Sequence, residues 1–315
     1  MPPPTIEAVG LTKRFGSFTA LDHLDLKLEG GKCVGFLGPN GAGKTTSLKL
    51  LTDMIFPTEG ECFLNGISVQ SERKRALQLA GVLIESPEIY PSLTPTQALE
   101  MVADLRNMSS SERRERIPKA LEEVRMSDWA HAKVGRFSKG MKQRVNIAAA
   151  LVHDPEILML DEPATGLDPR GMAEVRAIVR DLKQHDRLIF MSSHILQEVT
   201  DVCDEVALIN HGKLLFYDTL ENITSKYAKG QTTLEATFAR PVSDASVAKD
   251  IPAIPGVARC ERLDPRRLRL FCPGDAATHA SVLRALVGLD LDLVGFQESR
   301  SVLEEIYMSQ IEKGD

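Results

Sequence analysis

The chain has 315 residues, 43% of them hydrophobic, with 38 Lys and Arg against 44 Asp and Glu and a formal net charge of -6. This content fills a sizeable core, in one large domain and a smaller one, which excludes a disordered chain; the acidic balance excludes a global basic field for nucleic acid. The five cysteines are scattered without a C-x-x-C pair, which argues against a disulfide framework or a zinc site, and no run of about eighteen apolar residues marks a membrane span.

Residues Ile6 to Leu11 and Phe18 to Leu28 alternate apolar with polar and predict antiparallel strands around a turn at Lys13 to Ser17. A buried strand at Cys33, a glycine-rich turn and a helix reaching about Ile55 to Pro57 follow. Glu61 to Val69 reads as two short strands around Asn65-Gly66, and Gln78 to Ile84 as another strand. A proline-punctuated loop then leads into amphipathic helices over Thr96 to Asn107 and Ser111 to Val124. The Ser and Gly of Phe137-Ser-Lys-Gly precede a helix over Val145 to Val152. Ile157 to Asp161 and Leu188 to His194 are apolar runs typical of buried parallel strands, followed by helices over Pro169 to His185 and Ile195 to Cys203. Beyond Gly230 the pattern reads β-α-β-β-α-β, a small ferredoxin-like unit ending in a helix at Ser301 to Glu312.

Chemistry concentrates in Gly38-Pro39-Asn40-Gly41-Ala42-Gly43-Lys44-Thr45-Thr46, which matches G-x-x-x-x-G-K-[ST]. Glycines let the backbone approach an anion, and the helix starting near Lys44 turns free amides and its positive end toward it. Lys44 is placed to reach the outer phosphates of a nucleotide and Thr45 to ligate Mg²⁺. Asp161 and Glu162 stand at the C-terminal end of a buried strand, where ligand chemistry sits in open α/β sheets, and His194 ends another buried strand at the equivalent edge. Ser138 and Gly140 open a second helix and present further amide donors. Phe15 reads either as a packing residue or as a platform for a base. His194 alone reads as an ordinary strand-end histidine.

Taken in this order, the cradle, the Phe137-Ser-Lys-Gly motif, the Asp161-Glu162 pair, the Asp168 loop and His194 resemble ABC-type ATPases over about residues 5 to 225. The resemblance implies a P-loop α/β ATPase domain over residues 1–228, with an antiparallel β subdomain and a helical insert at about 86–150. A small α+β accessory domain is expected over 229–315. It also implies ATP and Mg²⁺ as cofactors, with Lys44 on the transferred phosphoryl group and Thr45 and Asp161 holding the metal. Glu162 would orient the attacking water and His194 would contact the γ-phosphate. Ser138, Gly140 and Asp168 would complete the site of a second subunit packed head to tail. Two departures stand out. The family's L-S-G-G-Q is Phe137-Ser-Lys-Gly-Met141 here, and Glu85 stands where a glutamine usually approaches Mg²⁺; it reads as a metal-site carboxylate or as a solvated loop residue.

Glu85-Ser-Pro-Glu-Ile-Tyr-Pro and Ser-Lys-Gly-Met-Lys-Gln-Arg further resemble the ATPase subunits of drug and antibiotic-resistance exporters. That resemblance implies integral membrane permease partners and a cytoplasmic chain held at the inner face of the cell membrane. A soluble ABC ATPase acting on ribosomes or DNA is the alternative. Arg259, Arg262, Arg266, Arg267 and Arg269 form a candidate anion patch, for which a solvated face is the simpler reading.

Overall fold

Period-two alternation builds the first layer of the protein, described from a computed structural model for residues 3–85, 88–183, 186–223, 231–273 and 275–298. β1 (Thr5–Phe15), β2 (Phe18–Glu29), β4 (Glu59–Leu64) and β5 (Ile67–Ser68) form an antiparallel sheet of order β2-β1-β4-β5. In β2, Leu24, Leu26 and Leu28 are buried while His23, Asp25 and Lys27 between them face water. β1 continues through the expected turn to Phe15, because Arg14 pairs with Thr19 and its N–H donates to Thr58 Oγ1 at 3.0 Å. Only Gly16 and Ser17 turn the chain.

The second layer is a six-stranded sheet containing β3 (Cys33–Leu37), β6 (Ala80–Leu83), β7 (Ile157–Asp161), β8 (Leu188–Ser193), β9 (Glu205–Asn210) and β10 (Lys213–Thr219). Its order is β10-β9-β3-β8-β7-β6, parallel except for β10 at the edge. Every residue of β3, β7 and β8 is buried, as central parallel strands covered on both faces must be. Their shared direction brings the ends of β3, β7 and β8 to one edge. α1 (Lys44–Leu51) touches β2 and β4 of the first sheet and β7 of the second, and the core joins Leu24, Leu48, Phe36 and Phe190. It stops earlier than expected: Thr52 Oγ1 turns back to Leu48 O at 2.8 Å and Asp53 takes φ 53°.

α2 (Arg73–Gln78) replaces the beginning of the strand expected from Gln78. The helical insert follows as α3 (Pro95–Leu105), α4 (Ser110–Glu123) and two 3-10 turns, with capping boxes at Thr94 and Ser109. α5 (Lys139–Leu151) begins one turn and more before the predicted start, since Ser138 caps it by accepting Met141 N–H at 3.2 Å. α6 (Pro169–Lys183) and α7 (Leu196–Val202) follow β7 and β8.

The chain divides into two compact units, Met1–Thr219 and Leu220–Asp315. The second contains β11 (Gln231–Phe238), a π-helical turn at Ser246–Asp250, β12 (Arg259–Asp264), β13 (Arg267–Pro273), α8 (Ala276–Gly288) and β14 (Leu293–Glu298). Its antiparallel order β12-β13-β11-β14 buries Leu234, Ala236, Phe238, Leu268, Leu270, Val282 and Leu286 in a core of its own. The arginines of the β12–β13 hairpin pair locally: Arg259 with Glu261, Arg262 with Asp244, Arg267 with Asp264 and Arg269 with Glu235. The helix expected at Ser301 to Glu312 and the domain boundary expected at 228/229 lie outside the described residues. Among the described residues no helix is long and apolar enough to cross a membrane.

Candidate active site

The turn between β3 and α1 is a cradle made by backbone constraint. Gly43 sits at φ 107°, and a Cβ there would fall 2.7 Å from Ala20 O, so a side chain is excluded twice over. The ammonium of Lys44 curls back into the turn, donating to Gly38 O at 2.8 Å and Pro39 O at 3.0 Å. Glu162 Oε1 lies 3.4 Å from the same nitrogen. Burial pulls the Lys44 pKa down, and the carboxylates of Glu162 and Asp161 offset part of that. A cavity of about 260 Å³ opens over Asn40, Gly41, Gly43, Lys44, Thr45, Thr46 and Glu162, with Phe18 and Ala20 on its other wall.

The end of β7 supplies two carboxylates with different surroundings. Asp161 is buried and accepts two hydroxyls: Thr45 Oγ1 on Oδ2 at 2.8 Å and Ser192 Oγ on Oδ1 at 2.5 Å. Glu162 follows at φ 45°, a left-handed conformation uncommon for a residue with a side chain. Its Oε2 accepts Thr165 Oγ1–H at 2.9 Å and lies 3.1 Å from His194 Nδ1. Burial pushes the Glu162 carboxyl up, but Thr165, His194 and Lys44 together outweigh it and hold it below the usual carboxylate range. A charged acceptor beside an imidazole and above a phosphate cradle can orient water or take a proton from it.

His194 stands just past β8 on a turn that is itself pinned. Ser193 Oγ accepts Ile195 N–H at 3.0 Å and donates to the buried Glu198 at 2.6 Å, while Gly38 N–H reaches Ser193 O at 3.3 Å. The histidine turn and the cradle thereby share a backbone hydrogen bond. Metal binding fits the donor set: Thr45 and Asp161 offer hard oxygens side by side. The described residues contain no group of three His, Cys, Asp or Glu that could hold an ion alone. Mg²⁺, commonly held by one or two carboxylates with phosphate and water oxygens, suits such a sparse site.

Ser138, Gly140 and Asp168 form a separate group. Ser138 is exposed at the start of α5. A Cβ on Gly140 would sit 3.4 Å from Gly171 Cα, and Asp168 Oδ1 accepts Gly171 N–H at 2.8 Å. No described hydrogen bond or ion pair links these three to the cradle. Phe18 lines the cavity, and β1 runs on to Phe15, which lies directly opposite Phe18 across a two-residue turn. Phe15 is 52% exposed and has Lys13 Nζ 5.0 Å from its ring centroid. Glu85, which reads as a metal-site carboxylate or as a solvated loop residue, is exposed, and its carboxylate meets Lys49 Nζ at 2.5 Å.

Ser192, Thr165, Phe18 and Lys49 escaped sequence reasoning. Phe18 had a signal in its two-residue distance across the Gly16-Ser17 turn from Phe15, whereas Ser192 and Thr165 looked like ordinary strand and loop residues. A larger cavity of about 1370 Å³ lies among Arg116, Glu123, Asp154 and Arg187. There Arg187 binds Glu123 at 2.7 Å and Asp154 at 2.8 Å.

Comparison with known proteins agrees with the geometry. The ABC transporter family model matches residues 21–165, which span the cradle, Asp161 and Glu162. The chain is 40% identical over 230 residues to the bacitracin transport ATP-binding protein BcrA of Bacillus licheniformis, covering 72% of this chain and 74% of the relative. It is 28% identical to the linearmycin resistance ATP-binding protein LnrL of Bacillus subtilis (strain 168), covering 96% and 97% of the two chains. Among solved structures, an ATP-binding cassette described as a dimeric post-hydrolysis state with ADP and Pi superimposes at TM-score 0.61 and 24% identity, over 68% of this chain and 98% of that one. That likeness shows the fold. With the phosphate cradle, the paired carboxylates and a 40% identical relative aligned over most of its length, the chain belongs to the ABC transporter family as one of its ATP-binding subunits, an ABC-type ATPase.

Proposed function

We propose that this ATPase drives export through integral membrane permease subunits carried on separate chains. Two copies would pack head to tail around two ATP molecules. The observation that carries the second copy is the separation of the site into two groups. Lys44, Thr45, Asp161, Glu162 and His194 are joined by short contacts, while the exposed Ser138 and the linked Gly140 and Asp168 lie outside that network. Within the first group, Lys44 would neutralise charge on the γ-phosphate, Thr45 and Asp161 would hold Mg²⁺, Glu162 would orient water and His194 would keep Glu162 in line with it. Mg²⁺ would add electrostatic stabilisation of the phosphate oxygens. Ser138 and Gly140 would offer hydroxyl and amide to the γ-phosphate of the partner's nucleotide. Phe15 and Phe18 share one face of their hairpin and would flank the adenine.

The names of the relatives, bacitracin transport and linearmycin resistance, support export of a drug-like cargo. The chain would then work at the inner face of the membrane, held by its permease. Glu162→Gln tests the ATP sandwich: the variant is expected to bind ATP, run as a dimer on sizing in ATP and Mg²⁺, and lose most hydrolysis. A monomer under those conditions would count against the second copy. Recovery of the tagged chain from mild-detergent membrane extracts tests the partner. A multi-spanning protein in stoichiometric amount is the expected result, whereas ribosomal or DNA-bound partners alone would move the ATPase to the soluble class.

A further inference from the structure

We propose that Ser192 is a positioning residue for catalysis, setting the Mg²⁺-side carboxylate of Asp161 and the backbone of Glu162 at once through one buried hydroxyl. The inference rests on the ATPase reading of this site. Ser192 is fully buried in β8 between Met191 and Ser193, where an apolar side chain would serve packing alone. A buried hydroxyl is unfavourable unless its hydrogen bonds are made, and both of these go to the paired carboxylate residues. Its O–H donates to Asp161 Oδ1 at 2.5 Å, and its oxygen accepts the N–H of Glu162 at 2.9 Å. Parallel pairing places Ser192 directly beside Asp161, so the strand register itself aims the hydroxyl.

The consequences differ for the two acids. Asp161 has one oxygen occupied by Ser192, which turns the other toward Thr45 at 2.8 Å and fixes the plane in which the carboxylate meets a metal. Glu162 is held at φ 45°, a conformation that a side-chain-bearing residue keeps only when its surroundings impose it. The bond from its N–H to Ser192 is one such constraint. Without it the peptide is free to relax toward ordinary φ, carrying the carboxylate off Thr165, His194 and Lys44. Three hydrogen bonds therefore run from Thr45 through Asp161 and Ser192 to the backbone of Glu162, connecting the metal side of the site with its base.

The test uses the full chain and the variants Ser192→Ala, Ser192→Cys and Ser192→Thr. Readouts are kcat, KM for ATP, nucleotide affinity in EDTA, the Mg²⁺ concentration giving half-maximal rate, and Tm. Ser192→Ala is expected to lower kcat by about 10- to 100-fold and raise the Mg²⁺ requirement, as loss of an outer partner of a metal ligand does. KM for ATP and metal-free nucleotide affinity are expected to stay within about twofold, since the cradle is intact. Ser192→Thr restores the hydroxyl and is expected to recover most of the rate. Ser192→Cys, near in size with a weak donor, is expected to fall between Ala and the native serine, which keeps the test sound if the Thr methyl lowers Tm. Unchanged kcat in Ser192→Ala, or parallel losses of Tm and metal-free nucleotide binding, would overturn the role. A native chain that binds ATP without hydrolysing it would defeat the ATPase reading itself, and the role of Ser192 with it.

Discussion

Lys44 illustrates how a single residue can bind strongly because its resting partners are weak. In the free chain its ammonium is shared among two backbone carbonyls and Glu162, at 2.8, 3.0 and 3.4 Å, inside a site where burial disfavours the charge. A phosphate group adds full negative charge where the two nearest resting partners are neutral carbonyls, and the gain is large because little water competes. Lys44→Ala is expected to lower nucleotide affinity by about 100-fold or more, from loss of a buried charge-assisted contact worth roughly 3 kcal/mol. Titration with a fluorescent ATP analogue measures this, and unchanged affinity would remove Lys44 from its role.

At the scale of elements, the same physics shapes parts of the chain outside the site. β6, which leads toward Glu85, is packed by His153 from the residues after α5 and by Arg106 from the end of α3. Ala80 O receives Arg106 at 3.0 Å and lies 3.2 Å from His153 Nε2. Burial and the nearby Arg106 push the His153 pKa from 6.5 to about 4. The unfolded chain therefore takes up this proton before the folded one does. Stability from the neutral imidazole is complete above about pH 6.5 and is lost progressively as pH falls toward about 4. His153→Gln, which keeps a donor for Ala80 O without titrating, is expected to flatten the dependence of Tm on pH across that window. A slope as steep as that of the native chain would show that other groups set it.

For the whole molecule, two cores matter more than total size. Residues up to Thr219 bury one cluster around Phe36, Leu48 and Phe190, and the second unit buries another around Leu234, Phe238 and Leu270. Ligand that binds one unit stabilises that unit by mass action. Calorimetry of the intact chain is expected to show two transitions, with Mg²⁺ and ATP raising the one belonging to residues 1–219 and leaving the other within about a degree. A single transition that moves as a whole with ATP would mean that the units unfold together. We propose an accessory role for the second unit, since every residue assigned to the candidate site lies in the first.

By itself, the sequence determined what local patterns and motif spacing can encode. The G-x-x-x-x-G-K-T run placed the cradle, the apolar runs at Ile157 and Leu188 placed the buried parallel strands, and the order of motifs pointed to the family. Alternation in Phe18 to Leu28 and the cap residues Thr94 and Ser109 placed the flanking sheet and the helical insert. What only the tertiary structure decided depends on contacts between distant segments. Ser192 becomes important because β8 lies in register beside β7. Glu85 meets Lys49 of α1 across 36 residues of chain. Phe15 sits opposite Phe18 because β1 runs further than its composition suggests, with Arg14 N–H bonded to Thr58. In each case the deciding term is a hydrogen bond or ion pair that strand register and helix packing create, and neither is written in the residues nearby.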